Sequence, residues 1–291
     1  MPKQAVEIEV KELTRERFSG RIKGAPLPVV NAIRRVAQSE VLTMAADYII
    51  FYDNNTVLYD EYIAHRIAMI PLTSDAALEK YKRPEECVTD GSRFDEDCYA
   101  TLRLVVERPG ETPLSGLTEV EIIYSDSIVS EDPDVRPVSG KIPVAVISPG
   151  QRIHAEIKAR LGRGREHAKW QAATVSVLTY VADIRIDWEH CDSCGDCAAV
   201  CPTGALKIVK GKLKVDSEKC NLCRQCLRAC PAGAIRLSWR DNEYNLMIES
   251  SGALHAGRIL YEAAKEVRSK LLTLLNTVNT LGGGTEGSRS G

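Results

Sequence analysis

The chain opens on strict alternation. Val6, Ile8 and Val10 recur at every second position, and Phe18 and Ile22 follow after a polar break, which predicts a strand pair over 5–24. Gly24, Pro26 and Pro28 punctuate the chain, and the period then lengthens. Val29, Ile33, Val36, Val41 and Met44 step three to five residues apart and predict a helix over 29–45, with Arg34, Arg35, Gln38 and Glu40 largely off its apolar face. Ala46 to Tyr59 reads as a hairpin, with Ile49, Phe51 and Val57 around the turn residues Asp53, Asn54 and Asn55. A short amphipathic helix carrying Ile63, Ile67 and Ile70 is predicted over 59–70, stopped by Pro71. From about 83 to 170 the character changes. Short β-like runs at 101–106, 119–124 and 142–147 alternate with acidic loops bearing Gly and Pro, the look of a second, mostly β domain. A strand over 174–187 holds Val175, Val177, Val181, Ile184 and Ile186, and Tyr244 to Ile248 resume a strand.

The last predicted helix, 254–281, has a different period. Leu260, Ala264, Val267, Leu271, Leu274, Val278 and Leu281 step by four and three in turn, a 3.5-residue seam narrower than the stripe of an ordinary core helix. Such a seam reads either as packing on the protein's own body or as a helix-to-helix contact with another chain, and its narrowness favours the second. Residues 282–291, rich in Gly, are expected to form a disordered tail.

With 291 residues the chain has room for two or three domains with real cores. A net charge of −2 argues neither for nor against nucleic acid. The N-terminal stretch MPKQAVEIEVKEL carries charges where a signal peptide's apolar core would sit, and no apolar run approaches ~18 residues. A soluble cytoplasmic protein without membrane contact is therefore expected. Residues 158–169 are locally basic (Lys158, Arg160, Arg163, Arg165, Lys169) and read as a solvated loop, with phosphate or partner contact as the alternative.

Ten cysteines change the picture. Eight of them form two copies of C-x2-C-x2-C-x3-C-P: Cys191, Cys194, Cys197 and Cys201, then Cys220, Cys223, Cys226 and Cys230. Three cysteines at three-residue steps, on a loop turning into a helix, aim three thiolates at three irons of one cubane. The doubled pattern is the ligand layout of two-cluster bacterial-type ferredoxins. Carried over, two [4Fe–4S] clusters are implied. Cluster one takes Cys191, Cys194, Cys197 and Cys230, and cluster two takes Cys220, Cys223, Cys226 and Cys201. Zinc sites match poorly, because they need paired C-x2-C knuckles well separated in sequence. Structural disulfides need an oxidising compartment and seldom join cysteines this closely spaced. Cys87 and Cys98 remain, in an acidic stretch. Two surface thiols, a loop disulfide of the hyperthermophilic kind and the remnant of a zinc site stay open for them.

The rest of the chain offers no catalytic constellation: no P-loop, no G-x-G-x-x-G after a strand, no H-E-x-x-H. His65, His154, His167, His190 and His255 are scattered and read as structural. Between 187 and 240 nine Lys and Arg face six Asp and Glu. Two dianionic clusters would bring that module near neutrality, which speaks against a free electron carrier. An electron-transfer or redox-sensing subunit nevertheless stands beside an assembly protein as the alternative function. Direct DNA contact, resting only on the basic run, is not expected.

Four motifs decide between these. Residues 31–45 (NAIRRVAQSEVLTMA) resemble the first dimerisation helix of the α-type assembly subunits of RNA polymerase. Residues 60–72 (DEYIAHRIAMIPL) are similar to that family's D-E-x-x-A-H-R-I-x-x-I-P-L signature, and residues 162–170 (GRGREHAKW) to its G-x-G-x-E-H-A-K-W element. Residues 248–257 (IESSGALHAG) resemble the strand-to-helix lead-in of its C-terminal dimerisation helix. The resemblance spans roughly 1–281, and with the inserted ferredoxin-like module it points to the archaeal branch of the family.

What the resemblance implies is an α+β fold in three parts. A discontinuous dimerisation domain takes 1–48, 171–187 and 239–281. A mostly β domain is inserted at 49–170, and a ferredoxin-like iron–sulfur domain at 188–238. The resemblance further implies a non-catalytic component of a nucleotidyltransferase, DNA-directed RNA polymerase. It would pair with subunit L through the two dimerisation helices, with Ile33, Val36, Leu260, Ala264, Val267, Leu271, Leu274 and Val278 at the contact. The pair would dock subunits N and P and carry the large catalytic subunits. Members vary in how many of the eight cysteines they keep. This chain keeps all eight.

Overall fold

The computed structural model describes residues 5–110 and 120–282. The tail expected from Gly282 onward falls, past that glycine, outside the described residues. The fold is α+β. In chain order its first elements are β1 (Glu7–Leu13), β2 (Arg17–Lys23), α1 (Leu27–Ser39), β3 (Leu42–Asn54), α2 (Asp60–Ala68) and α3 (Ala77–Lys80). The strands β4 (Tyr99–Glu107), β5 (Glu121–Tyr124), β6 (Ile128–Ser130), β7 (Pro143–Ile147), β8 (Arg152–Arg163) and β9 (Ala173–Ile186) follow. Next come α4 (Asp196–Ala199), β10 (Leu206–Val209), β11 (Lys212–Val215), α5 (Gln225–Ala229), β12 (Ile235–Ser250) and α6 (Ala256–Gly282).

The chain divides into two compact units. One gathers the segment up to Glu12, Ser19–Asn31 and Val177–Met247; the other gathers Leu13–Phe18, Ala32–Ser176 and Ile248 onward. The first is built on a four-stranded sheet of order β1-β2-β12-β9, with the small β10–β11 pair beside α4 and α5. The second holds a four-stranded sheet of order β3-β8-β4-β6 and the pair β5–β7. Its core stacks Met44, Leu102, Leu104, Ile157 and Leu161 from the large sheet against Ile63 and Ile67 of α2.

Four expectations change. The helix expected over 29–45 ends at Ser39, and Val41 and Met44, which fit its period, are buried around the start of β3. No hairpin forms over 46–59. β3 runs on to Asn54, paired with β8 from Leu42↔Arg163 to Asn54↔Ile153, so Ile49 and Phe51 sit mid-strand. The turn at Asn54 does form, with its side chain donating to the Leu58 carbonyl and accepting from the Thr56 amide, but it leads into α2. The basic run is not a solvated loop. Ile153, Ala155, Ile157, Ala159 and Leu161 alternate along β8 as its fully buried face, and Arg160 and Arg163 are themselves buried. The strand expected at Tyr244–Ile248 begins nine residues earlier, at Ile235, so the cysteine module rises directly from the ends of β9 and β12.

Cys87 and Cys98 are joined in a disulfide, with Cα atoms 6.0 Å apart, and Cys98 is buried. The bridge closes the loop that packs Phe94 edge-on against Tyr48 and Tyr99. Replacing both cysteines by Ser is expected to lower the unfolding free energy by about 2–3 kcal/mol, since a loop of this length regains its freedom mainly in the unfolded chain. A urea midpoint unchanged by the double substitution would show that the bridge adds no stability.

Candidate metal centre and pairing helix

The doubled cysteine pattern is doubled in three dimensions. In the first copy Ser193 and Gly195 adopt positive φ (58° and 90°); at the equivalent places of the second copy, so do Leu222 and Arg224 (60° and 63°). Left-handed backbone at Leu and Arg is unfavourable, yet the loop repeats it. Asp192 Oδ1 accepts the Cys194 amide at 3.1 Å, and Asn221 Oδ1 accepts the Cys223 amide at 3.3 Å. Each loop then enters a one-turn helix carrying its third cysteine, Cys197 on α4 and Cys226 on α5.

These turns gather the thiols into two foursomes, and the last cysteine of each copy crosses over. One cavity is lined by Cys191, Cys194, Cys197 and Cys230 with Ile208, Leu213 and Ile235. The other is lined by Cys201, Cys220, Cys223 and Cys226 with Ile184, Leu206 and Leu237. Burial pushes the Cys197 thiol up, and the proximity of Cys230, Cys194 and Cys191 adds to it. Burial does the same to Cys226, and the proximity of Cys220, Cys223 and Cys201 adds to it. Thiols crowded in an apolar wall resist ionisation unless a cation joins them, so this donor set suits iron and would release protons on binding it. The module's own core is small: Cys197, Leu206, Leu213, Cys226 and Ile235 are its buried members, two of them cysteines.

Sequence spacing gave no hint of a carboxylate beside the second foursome. Glu218, in the short turn Ser217–Lys219, accepts from Arg21 of β2 and, at 2.7 Å, from Lys11 of β1. Those two hydrogen bonds pull its carboxyl down to about 2.

The last helix, α6, is buried near its start and exposed towards its end. Ala256, Ile259 and Ala263 of α6 are fully buried. Along the 3.5-residue seam Leu260 and Val267 are half-buried, Ala264 is exposed, and from Arg268 to Leu281 every side chain is exposed. Leu271, Leu274 and Val278 are 55%, 60% and 54% exposed. Of the residues expected beside them on α1, Ile33 is half-buried and Val36 is buried. No described helix is long and apolar enough to cross a membrane.

Residues 48–188 match the RNA polymerase Rpb3/RpoA insert domain, and residues 190–234 match the 4Fe-4S dicluster domain. The DNA-directed RNA polymerase subunit Rpo3 of Aeropyrum pernix is 38% identical over 280 residues, 94% of this chain and 96% of that protein. Rpo3 of Archaeoglobus fulgidus is 36% identical over 264 residues (91% and 94%), and Rpo3 of Methanosarcina mazei 32% over 279 residues (95% and 99%). The chain belongs to the Rpo3 family.

For this Rpo3-family chain, two of the motifs that carried the resemblance prove to be internal locks. In GRGREHAKW the Trp170 indole is buried, donates to the Arg160 carbonyl at 3.2 Å, and lies between the Arg160 guanidinium and the Lys169 ammonium, 4.3 and 4.1 Å from its centroid. Asp47 accepts from both cations, at 2.7 and 2.8 Å. It is placed to do so by a bulge that shifts the β3–β8 register between Ala46 and Tyr48. His167 Nδ1 accepts the Lys169 amide, which starts the turn bearing the tryptophan. In DEYIAHRIAMIPL, Ile63, Ile67, Ile70 and Leu72 enter the core, and Arg66 donates to the Val144 and Pro143 carbonyls at 2.8 and 2.6 Å. The basic run is likewise consumed internally: Lys158 pairs with Glu156, Arg160 and Lys169 with Asp47, Arg163 with Glu85, and Arg165 with Glu40.

Proposed function

We propose that the chain is an assembly platform of archaeal DNA-dependent RNA polymerase, the counterpart of the bacterial α N-terminal domain and of the eukaryotic third-largest subunit. On this reading iron–sulfur clusters hold its cysteine module together. As a member of the Rpo3 family it contributes to a nucleotidyltransferase without supplying catalytic groups. Its working compartment is the cytoplasm. It pairs with subunit L along the α6 seam, with α1 beside it, and the pair docks subunits N and P and carries the large catalytic subunits. The dimerisation domain is discontinuous, and the β-rich domain and the cluster domain are insertions into it. The observation that carries the pairing is the leucine row of α6, exposed over its last three turns while Ala256, Ile259 and Ala263 near the helix start are buried.

Two [4Fe–4S] clusters are proposed, one ligated by Cys191, Cys194, Cys197 and Cys230, the other by Cys201, Cys220, Cys223 and Cys226. When bound, each supplies four iron–thiolate cross-links. The chain's own part is to position the thiols by repeated left-handed turns and to wall them with Ile184, Ile208, Leu213 and Leu237. A module with so few buried side chains needs such staples. Anaerobic co-purification with subunit L is expected to give about eight iron and eight sulfide per chain, four of each per cubane. Cys197→Ser or Cys226→Ser should lower that count and impair assembly with L or open the module to protease. Both variants assembling normally with their cluster absent would refute the staple.

A further inference from the structure

Glu218 lies two residues before Cys220, in the loop that presents the second foursome. Its two carboxylate oxygens both accept from the Arg21 guanidinium, and Lys11 Nζ reaches Oε2 at 2.7 Å. Lys11 belongs to β1 and Arg21 to β2, neighbouring strands at one edge of the sheet. The Arg21 side chain is only 8% exposed, and its Nε has no hydrogen-bond partner. A guanidinium cannot discard its proton, so a buried one depends on its counter-charge.

The strand beside it is an edge strand, paired with β2 and tied to it by Lys23 and Glu9, 3.4 Å apart. β1 buries no side chain, and Val6, Ile8 and Val10 are all more than half exposed. The loop on the other side is held mainly by short-range hydrogen bonds. Asp216 N donates to the Ala205 carbonyl and Cys220 N to the Ser217 carbonyl, and the left-handed Leu222 follows. Two weakly packed segments thus meet at one carboxylate.

We infer that Glu218 is a positioning residue that latches the ligand loop of the second foursome to β1 and β2, so that order in the loop and order in the strand pair rise and fall together. The inference rests on the cluster reading for what orders the loop. The latch itself is a property of the ion pair. Its consequence is that a disturbance at Cys220 reaches the dimerisation sheet, whose first two strands lie far from the module in sequence.

Hydrogen exchange on the full chain, reconstituted anaerobically, tests this with four variants. Glu218→Gln and Cys220→Ser are each expected to speed amide exchange in β1 and β2 about tenfold, leaving β4 and β8 as they are. Glu218→Gln should also release iron to a chelator several times faster than wild type. Glu218→Asp, which keeps the charge, should restore much of both readouts. Lys219→Ala, which breaks only the neighbouring exposed pair with Asp216, should change neither. The latch is overturned if Glu218→Gln leaves strand exchange within twofold of wild type. It is also overturned if Cys220→Ser accelerates exchange only between 191 and 230. Iron and sulfide counts on the same wild-type sample report the cluster reading separately. A chain without iron would overturn that reading, and strand exchange in Glu218→Gln would still decide the latch.

Discussion

Replacing Leu271, Leu274 and Val278 together by Asp is expected to abolish co-elution with subunit L on size exclusion, while the melting temperature of the chain's own fold stays within about 2 °C. Lys270 still pairs with Glu40, but every α6 side chain beyond it to Leu281 is exposed, so the substitutions remove little intrachain packing. Full burial of a leucine contributes about 1.5–3 kcal/mol, so three such positions carry at least ~4 kcal/mol, roughly a thousandfold in affinity. The carboxylates add a desolvation penalty on top. The buried start of the helix supplies the control. Ala263→Asp places a charge at a fully buried position and should destabilise the chain itself, with or without a partner. Normal co-elution of the triple variant would remove α6 as the pairing surface.

The second large effect is expected at the tryptophan lock. Trp170→Ala should lower unfolding free energy by about 3–5 kcal/mol, the usual range for emptying a buried aromatic site. It removes the packing of a 3%-exposed ring, its hydrogen bond to Arg160 and the aromatic face of two cations. The flanking glycines make the same point from the other side. A Cβ at Gly162 would overlap the Trp170 indole, and one at Gly164 would overlap the backbone carbonyl of Gln38. Gly164→Ala should therefore be the harsher of the two, because a carbonyl held at the end of α1 has nowhere to move. Chemical denaturation of the three variants orders these effects. A loss below about 1 kcal/mol for Trp170→Ala would mean that the site collapses around the gap.

What could be read from the sequence was whatever depends on short spacing. The doubled cysteine pattern, the alternation of β1, β2, β4 and β9, and the 3.5-residue seam of α6 are all local periodicities, and each has its counterpart in the structure. What failed depended on partners far along the chain. The basic run looked solvated because no acid stands near it in sequence except Glu156 and Glu166. Its counter-charges Asp47, Glu40 and Glu85 come from β3 and the loops around it. Val41 and Met44 fit a helical period, but pairing of the following residues with β8 claimed them for a strand. Asp53 to Asn55 carried a true turn signal, and nothing local told whether a strand or a helix would follow it. Glu218 and Arg21 are 197 residues apart, beyond any pattern in the chain.

The crossing of Cys201 and Cys230 between the two cavities also bears on how the chain reaches its fold. β9 and β12 are neighbours in the sheet, and the whole cysteine module is the connection between them. Left open, so long a connection opposes the meeting of its ends through its conformational entropy. Because each foursome draws on both copies, the second cannot be completed until the chain has been made through Cys226, nor the first until it has been made through Cys230. Completion of the foursomes shortens the free connection and brings the two strand ends together. With its proposed clusters the module would work as a fastener that closes only after its last tooth is synthesised, and the pairing of β9 with β12 would follow it.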